Sequence, residues 1–558
     1  MSRAPAKASN KGELVMLPLG GAGEIGMNFT LYGWAGKWIA VDCGITFGDD
    51  TTPGVDIMVP DISFIAERKK DLLGIVLTHA HEDHLGAVPY LWRKLGCPVY
   101  GTPFALGLLR RKLVEVELDR VTPLHTVPCG GGIDLGPFRI DYIPVAHSIP
   151  EAHALAIRTP AGTVLHASDW KIDPGPLVGP CTDEAAFRKL GEEGVIALVC
   201  DSTNAMVAGQ SGSEAALRDS LIEVIGRCRQ RVLVTCFASN VARLETIARA
   251  AEATGRNFGI VGRSLERIVD IALECGYLRD IPAPLRARDA GFLPRDRVLL
   301  AVTGSQGEPQ AMLARIAADE HPDLVLEPGD TVIFSAREIP GNERAVNRVQ
   351  NHLARLEVRV VTDRHAFVHV SGHPARDELA AMYEWVRPPL IVPIHGESRH
   401  LTEHVRYAHT CGVPRGVIAE NGAVLRLHPG PAEIVDHVPV GRFAVEGRRL
   451  LPIDGDVLRS RRRLSFAGVA VATVVIDRKG RLRGTPQLTV PGLLDGTEGD
   501  LDIRAAAVAA IEEAVEALSP DARRSDEEVS EATRRAVRRR LREAFGRRPV
   551  TEVHVVRV

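Results

Sequence analysis

The chain has 558 residues, of which 45% are apolar and 25% charged, and its formal net charge is −3. This length exceeds what one hydrophobic core usually serves, and the composition excludes a disordered or collagen-like chain. Because the net charge is close to zero, any nucleic-acid-binding surface has to be a local patch rather than an overall basic character.

Signals for a membrane or for secretion are missing from the sequence. No apolar run reaches the length of about 20 residues that spans a bilayer, and the N-terminal segment lacks a hydrophobic signal core. The nine cysteines are scattered without a C-x-x-C pair, which argues against a disulfide framework and a thiolate zinc site. We therefore expect a cytoplasmic protein with no membrane partner. We also expect residues 1–11 to form a disordered lead-in to the first domain.

The first predicted strand, Leu14–Leu19, leads into a glycine-rich loop at Gly20–Gly26. Such a loop can cradle a phosphate, but its spacing departs from the Rossmann fingerprint and no clean βαβ unit follows. A tight turn packed beneath a site and a nucleotide-binding loop both remain open. The next predicted strand, Trp38–Val41, is followed by Asp42, which could orient a metal-binding histidine or simply occupy a turn.

A dense cluster of potential metal ligands lies at Thr78–His84, directly after the predicted buried strand Leu72–Leu77. It contains three imidazoles and two carboxylates, and zinc uses such groups as ligands when it keeps one position open for water. Side chains two residues apart do not share a helix face, so a helix does not explain this spacing. The cluster therefore predicts a loop that converges on a metal.

The same arrangement, a potential metal ligand directly after a predicted strand, recurs later in the chain. The residues are His147, Asp169, Asp201 and His395. Repetition of this placement predicts a site along one edge of a sandwich of sheets. The strand before His395 comes more than two hundred residues after Asp169, so we expect the first domain to be interrupted by an insertion and then to resume.

Two other segments allow two interpretations each. Ala238, Ser239 and Asn240 follow a predicted strand and open a helix, where they could cap the helix or bind a phosphate at its N-terminus. The Arg-rich helix around Arg534–Arg542 could be a solvated face or a nucleic-acid contact.

Several motifs, in the order of the chain, resemble those of one known family. HAHEDH at His79–His84 resembles the H-x-H-x-D-H signature of the metallo-β-lactamase superfamily, and Asp42, His147, Asp169 and His395 fit its remaining motifs. The segments VCDSTN, TCFASN, TGSQGEP, HVSGHP and PIHGE resemble the β-CASP branch, which acts on nucleic acid. Within that branch the chain is most similar to bacterial ribonuclease J.

The resemblance implies an α/β fold: a metallo-β-lactamase αββα sandwich interrupted by a βα-rich β-CASP domain, plus a small α+β C-terminal domain. The domain bounds that we expect are 12–212 and 367–444 for the two parts of the metallo-β-lactamase domain, 213–366 for the β-CASP domain, 445–464 for a linker and 465–558 for the C-terminal domain.

The resemblance also implies two zinc ions per subunit, with Mn²⁺ or Mg²⁺ as substitutes. One zinc would take His79, His81 and His147, the other Asp83, His84 and His395, and Asp169 would bridge them. Asp42 and Asp201 would support these ligands. A structural Ca²⁺ is implied for some members, for which Asp56 and Asp454 are candidates here.

Catalytic roles are implied for Asp83, Asp169 and His373, the last as a proton donor to the phosphate or the leaving group. The implied pocket for RNA phosphate, including a 5′-monophosphate end, comprises Ala238, Ser239, Asn240, His369, Val370, Ser371, Gly372 and His373.

The implied function is a zinc-dependent ribonuclease of RNA maturation and decay, with 5′-to-3′ exonuclease activity favouring 5′-monophosphate RNA and with endonuclease activity. Single-stranded RNA is the implied substrate. The implied assembly is a homodimer or homotetramer through the C-terminal domain, with degradosome-type partners as a further option. The alternatives are a β-CASP nuclease acting on DNA, a small-molecule metallo-hydrolase and an RNA-binding scaffold without metals.

Overall fold

The computed structural model describes residues 12–49, 51–339 and 341–558. The expected lead-in over residues 1–11 lies outside that part of the chain. The chain divides into two compact units: one contains the residues up to Thr46 and Val59–Val440, the other Phe47–Met58 and Gly441–Val558. Within the described residues, no helix is long and apolar enough to cross a membrane.

The first part of the chain consists mostly of buried strands joined by short helices. Its elements are β1 (Leu14–Gly20), β2 (Ala22–Gly23), β3 (Phe29–Trp34), β4 (Lys37–Val41), β5 (Thr46–Phe47), β6 (Ile57–Pro60), α1 (Ser63–Ala66), β7 (Leu72–Val76), α2 (Glu82–Leu85), α3 (Val88–Leu95), β8 (Val99–Gly101), α4 (Pro103–Glu115), β9 (Leu124–Thr126), β10 (Gly132–Leu135), β11 (Phe138–Pro144), β12 (His153–Thr159), β13 (Gly162–His166), α5 (Glu184–Glu193) and β14 (Ala197–Asp201).

A block of alternating helices and strands follows. Its elements are α6 (Glu214–Gly226), β15 (Val232–Thr235), α7 (Val241–Ala253), β16 (Asn257–Val261), α8 (Arg263–Glu274), α9 (Ala287–Gly291), a 3₁₀ turn (Arg295–Arg297), β17 (Val298–Val302), α10 (Met312–Ala317), β18 (Thr331–Phe334), α11 (Glu343–Arg355) and β19 (Arg359–Val361). The five strands form one parallel sheet in the order β16-β17-β15-β18-β19. Parallel strands are covered on both faces, which explains why β15, β17 and β18 are buried along their whole length and consist mostly of apolar residues.

The chain then returns to the first sheets. The elements of this return are α12 (Arg376–Val386), β20 (Leu390–Ile394), β21 (Gly396–Glu397), α13 (Ser398–Thr410), β22 (Arg415–Gly416), β23 (Ala423–His428) and β24 (Glu433–His437). Strand β20 pairs in parallel with β14, and β23 pairs antiparallel with β1. The block between β14 and α12 is therefore an insertion in one continuous domain.

That domain is a sandwich of two sheets, with strand orders β24-β23-β1-β3-β4-β7-β8-β9 and β10-β11-β12-β13-β14-β20-β22. Side chains from both sheets share one apolar core, for example Met16 and Val76 from the first sheet and Tyr142 and Val199 from the second. Helices α5 and α12 cover the outer face of the second sheet. The expected αββα sandwich with a βα-rich insertion is confirmed.

The smaller unit is an α+β arrangement, as expected. Its later elements are β25 (Arg442–Glu446), β26 (Arg449–Pro452), α14 (Asp456–Ala467), β27 (Val469–Ile476), β28 (Gln487–Thr489), α15 (Glu498–Glu516), a 3₁₀ turn (Ala522–Arg524), α16 (Asp526–Phe545) and β29 (Val550–Arg557). Strands β28-β27-β29 form a sheet whose core includes Val474, Ile511 and Val537. The segment expected as a linker, 445–464, holds β26 and most of α14.

Candidate metal centre

The candidate site lies where strands of both sheets end. In the first sheet β4 and β7 run parallel, and in the second β13, β14 and β20 run parallel, so their carboxyl ends meet at one edge. Asp42, Ser168 and His395 follow three of these strands with φ of 62°, 54° and 53°. Non-glycine residues adopt this left-handed conformation at a cost of about 1–2 kcal/mol each. These strained residues lie where the backbone turns at the strand ends and directs polar side chains into the candidate site.

One group of side chains combines three imidazoles and one carboxylate. His81 Nδ1 lies 3.1 Å from His79 Nε2 and 3.1 Å from His147 Nε2. Asp169 Oδ2 lies 3.8 Å from the same two Nε2 atoms. These four residues could hold a metal ion.

A second group shares Asp169 with the first. Asp83 Oδ2 lies 3.0 Å from His395 Nε2, and Asp169 Oδ2 lies 3.3 Å from His84 Nε2 and 3.8 Å from His395 Nε2. These residues could also hold a metal ion. All seven ligands expected from the sequence thus lie in two groups that meet at Asp169.

The donor set fits a pair of cations. The other oxygen of Asp169, Oδ1, is buried and has no hydrogen-bond partner in the described residues. A buried carboxylate oxygen without a partner costs free energy that a nearby cation removes. The two groups supply five ring nitrogens and two carboxylates, and this nitrogen-rich set suits zinc better than the all-oxygen shells that Mg²⁺ and Ca²⁺ prefer.

Protonation of the imidazoles differs between the two groups. Burial lowers the pKa of His79 and His147 well below the ordinary value, and it lowers the pKa of His81 to about 4. These rings are therefore neutral near pH 7, the form in which imidazole binds a metal. Burial alone would also lower the pKa of His395, but the carboxylates of Asp169 and Asp83 raise it to about 9. A metal has to displace that proton.

The far nitrogen of several rings is held by a second residue. His147 Nδ1 donates to the carbonyl oxygen of Gly372 at 2.6 Å, and His84 Nδ1 lies 2.7 Å from Asp42 Oδ2. Since each Nδ1 carries a hydrogen in this contact, each Nε2 is the nitrogen that can bind a metal. Asp42 also accepts from the backbone N–H of Thr78 at 2.8 Å.

Other supporting residues were missed by sequence reasoning. Thr203 Oγ1 lies 2.7 Å from His395 Nδ1 and donates to Asp201 Oδ1 at 2.7 Å. Asn28 Nδ2 lies 3.0 Å from His84 Nε2. The available signal was the strand-end pattern, because Thr203 lies two residues beyond β14. Nothing in the local sequence marks Asn28.

Asp201 and His373 lie directly beside the candidate metal ligands, closer than residues that only support those ligands from outside. His373 Nδ1 is 2.7 Å from Asp201 Oδ2 and 3.7 Å from Asp169 Oδ2. Burial lowers the pKa of His373, but the neighbouring carboxylates of Asp201 and Asp169 outweigh burial and raise it. With Asp169 and His395 these two residues form a third, overlapping group that could hold a metal ion.

The residues expected to bind phosphate lie beside the histidines. Ser371 Oγ accepts from the side-chain amide of Asn204 at 2.8 Å, and Asn204 Oδ1 accepts from Arg337 at 3.1 Å. Arg337 is a cation that the sequence did not single out. The side chain of Asn240 caps α7 by accepting from the N–H of Arg243 at 2.8 Å.

The remaining residues expected in the phosphate pocket surround that cap or the His369–His373 turn. Ala238 and Ser239 are half-buried just before α7, Val370 is buried, and Nδ1 of His369 is buried without a hydrogen-bond partner in the described residues. Gly372 packs against His147, since a Cβ there would lie 2.7 Å from His147 Cε1. This close packing explains the glycine.

Two further sequence interpretations concern regions outside the histidine groups. The glycine-rich loop lies against the site, because a Cβ on Gly26 would lie 3.5 Å from Asp83 Cβ. This packing favours the tight-turn interpretation. Neither calcium candidate, Asp56 or Asp454, belongs to a metal-competent group of His, Cys, Asp and Glu within the described residues.

Family models match four consecutive parts of the chain. They are described as metallo-beta-lactamase superfamily (residues 28–185), Ribonuclease J, beta-CASP domain (229–353), Zn-dependent metallo-hydrolase RNA specificity domain (357–417) and Ribonuclease J C-terminal domain (456–558).

Full-length relatives agree with these matches. A protein of Sinorhizobium meliloti named Ribonuclease J is 45% identical over 98% of this chain and 98% of its own length. The chain belongs to the ribonuclease J family. Ribonuclease J of Mycolicibacterium smegmatis is 39% identical over 100% of this chain and 99% of its own length, and that of Helicobacter pylori strain 26695 is 34% identical over 98% and 80%.

Membership of the ribonuclease J family confirms the expected enzyme class, a metal-dependent ribonuclease. A solved structure of a protein of unknown function from Enterococcus faecalis V583 is similar in fold, with a TM-score of 0.52 and 16% identity. The match covers 74% of this chain and 100% of that one. At this identity the likeness concerns the fold alone.

Proposed function

We propose that this ribonuclease J family member hydrolyses single-stranded RNA with two zinc ions, removing nucleotides from the 5′ end, favouring a 5′-monophosphate and also cutting internally. The observation that carries the proposal is the carboxylate of Asp169, whose Oδ2 belongs to both ligand groups and whose Oδ1 has no other partner in the described residues. Two cations bound side by side is the arrangement used for in-line attack on phosphodiesters.

The proposed ligands are those expected from the sequence. His79, His81 and His147 would hold one zinc, Asp83, His84 and His395 the other, and Asp169 both. When bound, such metals make hydroxide available near neutral pH and offset the negative charge that develops on the phosphate. Mn²⁺ or Mg²⁺ would be weaker substitutes, because imidazole nitrogens outnumber carboxylates here.

The chain's own residues would position and protonate the substrate. His373 donates from Nδ1 to Asp201, which leaves Nε2 as the atom that can give a proton to the leaving oxygen. Its side chain is 22% exposed, so a substrate can reach it. The carboxylates of Asp201 and Asp169 raise the pKa of this ring, which favours the protonated form that a general acid requires.

The preference for a 5′-monophosphate would come from the phosphate pocket. Arg337 and Asn204 provide a cation and an amide beside Ser371, and the N-terminus of α7 carries partial positive charge. A terminal phosphate held there would determine which phosphodiester bond reaches the metals. The physiological role would be RNA maturation and decay.

The assembly and location are proposals of the same kind. The sheet order places β29 at an edge; Val556 on it and Val558, which directly follows it, are 43% and 61% exposed. An edge strand with exposed valines can pair with a second copy, which supports a homodimer or homotetramer. The nine free cysteines favour a reducing compartment such as the cytoplasm.

Asp169→Asn tests the proposal, because it keeps the shape of the side chain and removes the charge shared by both groups. We expect bound zinc to fall and RNA cleavage to drop at least about a hundredfold. Zinc content by mass spectrometry and digestion of 5′-labelled RNA measure these effects. Glu82→Gln is the matched control, since Glu82 lies within the motif His79–His84 but pairs with Lys112 and belongs to neither ligand group. Undiminished cleavage by Asp169→Asn would refute the metal assignment.

Paired digestion of RNA and DNA of the same sequence tests the substrate. RNA carrying a 5′-monophosphate should be degraded faster than RNA with a 5′-triphosphate or 5′-hydroxyl, and faster than any DNA. Equal rates on DNA would favour the DNA-nuclease alternative. Equal cleavage rates on RNAs with a 5′-monophosphate, a 5′-triphosphate and a 5′-hydroxyl would refute the proposed pocket for a terminal phosphate.

A further inference from the structure

The smaller unit contains a cavity of about 560 Å³ that has no part in the metal site. It lies where helices α14 and α16 end and strand β29 begins. Its lining includes three arginines and two phenylalanines: Arg463, Phe466, Phe545, Arg547 and Arg548. This combination is unusual, because phenylalanine is normally buried away from charge.

Among the residues that the structure describes, no acid pairs with the arginines of this cavity. Arg535 pairs with Glu531 at 2.9 Å and Arg540 pairs with Glu543 at 2.8 Å on the same helix, α16. In the described residues, the cavity arginines have no carboxylate partner; Arg547 donates instead to the carbonyl oxygen of Phe466 at 3.0 Å. Two helix C-termini contribute about half a negative charge each, so the three guanidinium groups leave a net charge of roughly +2.

An aromatic face is available beside this charge. Phe466 is 71% exposed, and the guanidinium carbon of Arg547 lies 5.1 Å from its ring centroid. An exposed ring gains free energy when another flat surface stacks on it, and each base of a nucleic acid offers such a surface. Arginines flanking the ring can contact the phosphates on either side.

We propose that this cavity is an accessory binding site for single-stranded RNA, in which a base stacks on Phe466 while Arg463 and Arg548 contact neighbouring phosphates. The proposal rests on the proposed function, which makes RNA the substrate. An acidic protein segment would satisfy the arginines but would leave the ring without a stacking partner. Binding here would raise the affinity for long RNA by tethering it, because the second contact becomes intramolecular.

Binding of a long RNA to the metal-loaded full chain tests the site. The probe is a single-stranded 2′-O-methyl phosphorothioate RNA of about 24 nucleotides, long enough for more than one contact, measured by fluorescence anisotropy. Phe466→Ala should weaken binding about tenfold, whereas Phe466→Trp should retain it. Arg463→Ala/Arg548→Ala should lower the slope of log affinity against log salt by about 1.4, the value for two phosphate contacts.

The matched control removes the same amount of charge from α16, outside the cavity. Arg535→Ala/Arg540→Ala should leave both affinity and salt slope close to those of the unchanged chain. Hydrolysis of a 5′-monophosphorylated trinucleotide should be unaffected in all these variants, because so short a substrate gains nothing from a second contact. Thermal unfolding midpoints establish that the variants are folded.

The outcomes separate this inference from the proposed function. If the unchanged chain cleaves RNA but the Phe466 and arginine variants bind the long probe as tightly as the control does, the accessory site is refuted and the cavity serves something else. If the unchanged chain binds the probe but cleaves no RNA, the proposed function fails instead. If Phe466→Ala does not fold, photo-crosslinking of RNA that contains 4-thiouridine to the unchanged chain tests the site instead. A crosslink at Phe466 or Phe545 supports the site. Crosslinks found only at other residues overturn it.

Discussion

At the scale of single residues, the site depends on threonines as much as on histidines. Thr203 Oγ1 lies between His395 Nδ1 and Asp201 Oδ1, at 2.7 Å from each. It donates to the carboxylate and accepts from the ring, which keeps a hydrogen on Nδ1 and makes Nε2 the nitrogen from which a metal displaces the proton. One hydroxyl thus selects the tautomer that can bind a metal.

Thr203→Val should therefore weaken zinc binding at the second group. The substitution keeps the size of the side chain and removes the hydroxyl, and loss of such an orienting partner costs roughly 10- to 100-fold in metal affinity. Competition with a chromogenic chelator measures the affinity. Thr410→Val, at an exposed threonine that donates to the carbonyl of Tyr407 at the end of α13, is the control. Equal zinc affinity in both variants would show that Thr203 does not orient the ring.

At the scale of elements, the insertion is tied together by a buried ion pair. Arg243 on α7 is 0% exposed and lies 3.3 Å from Glu214 at the start of α6. The same guanidinium donates to Ser335, which follows β18, and Ser335 Oγ donates to the carbonyl of Val368 at 2.6 Å. Two helices, a strand end and the segment leading to His373 are thereby held in one arrangement.

Arg243→Met should destabilise the fold by about 3–5 kcal/mol, because Glu214 would be left as an uncompensated buried charge. Urea unfolding monitored by circular dichroism measures the loss. Arg249→Met on the same helix is the control and should cost less than about 1 kcal/mol, since Arg249 is 31% exposed. Adding Glu214→Leu to Arg243→Met should recover part of the stability. A loss no larger than that of the control would contradict this account.

At the scale of the whole molecule, buried neutral histidines make stability depend on pH. His404 is 0% exposed, its Nδ1 lies 2.8 Å from Ser202 Oγ, and burial lowers its pKa to about 4. In the unfolded chain this ring takes a proton near pH 6.5, whereas in the folded chain it does so only near pH 4. The unfolded state binds more protons in between, so stability falls as pH falls from about 6.5 to about 4.

His404→Gln should reduce the loss in the free energy of unfolding between pH 6.5 and pH 4 by about 3 kcal/mol. This figure is the product of the pKa difference and about 1.36 kcal/mol per pKa unit. The measurement is urea unfolding of chelator-treated protein at several pH values, which removes the contribution of bound metal. His437→Gln, at an exposed position in β24, serves as the control and should keep the original slope. Identical slopes in the two variants would count against the assignment of this pH dependence to His404.

Assembly is also a property of the whole molecule. If copies pair through the edge strand β29, then Val556→Lys/Val558→Lys should yield monomers, because charges on both chains would repel and lose the apolar contact. Light scattering after size exclusion gives the mass. Val121→Lys, at another exposed valine, should not change it. A monomeric unchanged chain, or an unchanged mass in the double variant, would rule out this interface.

Much of the site was predictable from local sequence. The candidate ligands in Thr78–His84 are neighbours in the chain, and the later candidates directly follow apolar strands, so pattern and chemistry were enough to propose them. The family resemblance added their division between two metals. The sandwich and its βα-rich insertion followed from the alternation of elements and from the return of the strand-then-histidine pattern at His395.

Tertiary structure alone decided which atoms meet. His373 and Asp201 are 172 positions apart and Phe466 and Arg547 are 81 apart, and no periodicity connects such pairs. Their contacts arise because packed sheets and helices bring distant segments to one edge or one cavity, where burial, charge and hydrogen bonding then act together. Sequence by itself determined the chemistry of the donors, since that belongs to each side chain. The choice of ring nitrogen, the placement of Asp169 between the two groups and the surroundings of the cavity arginines depend on neighbours that only the folded chain supplies.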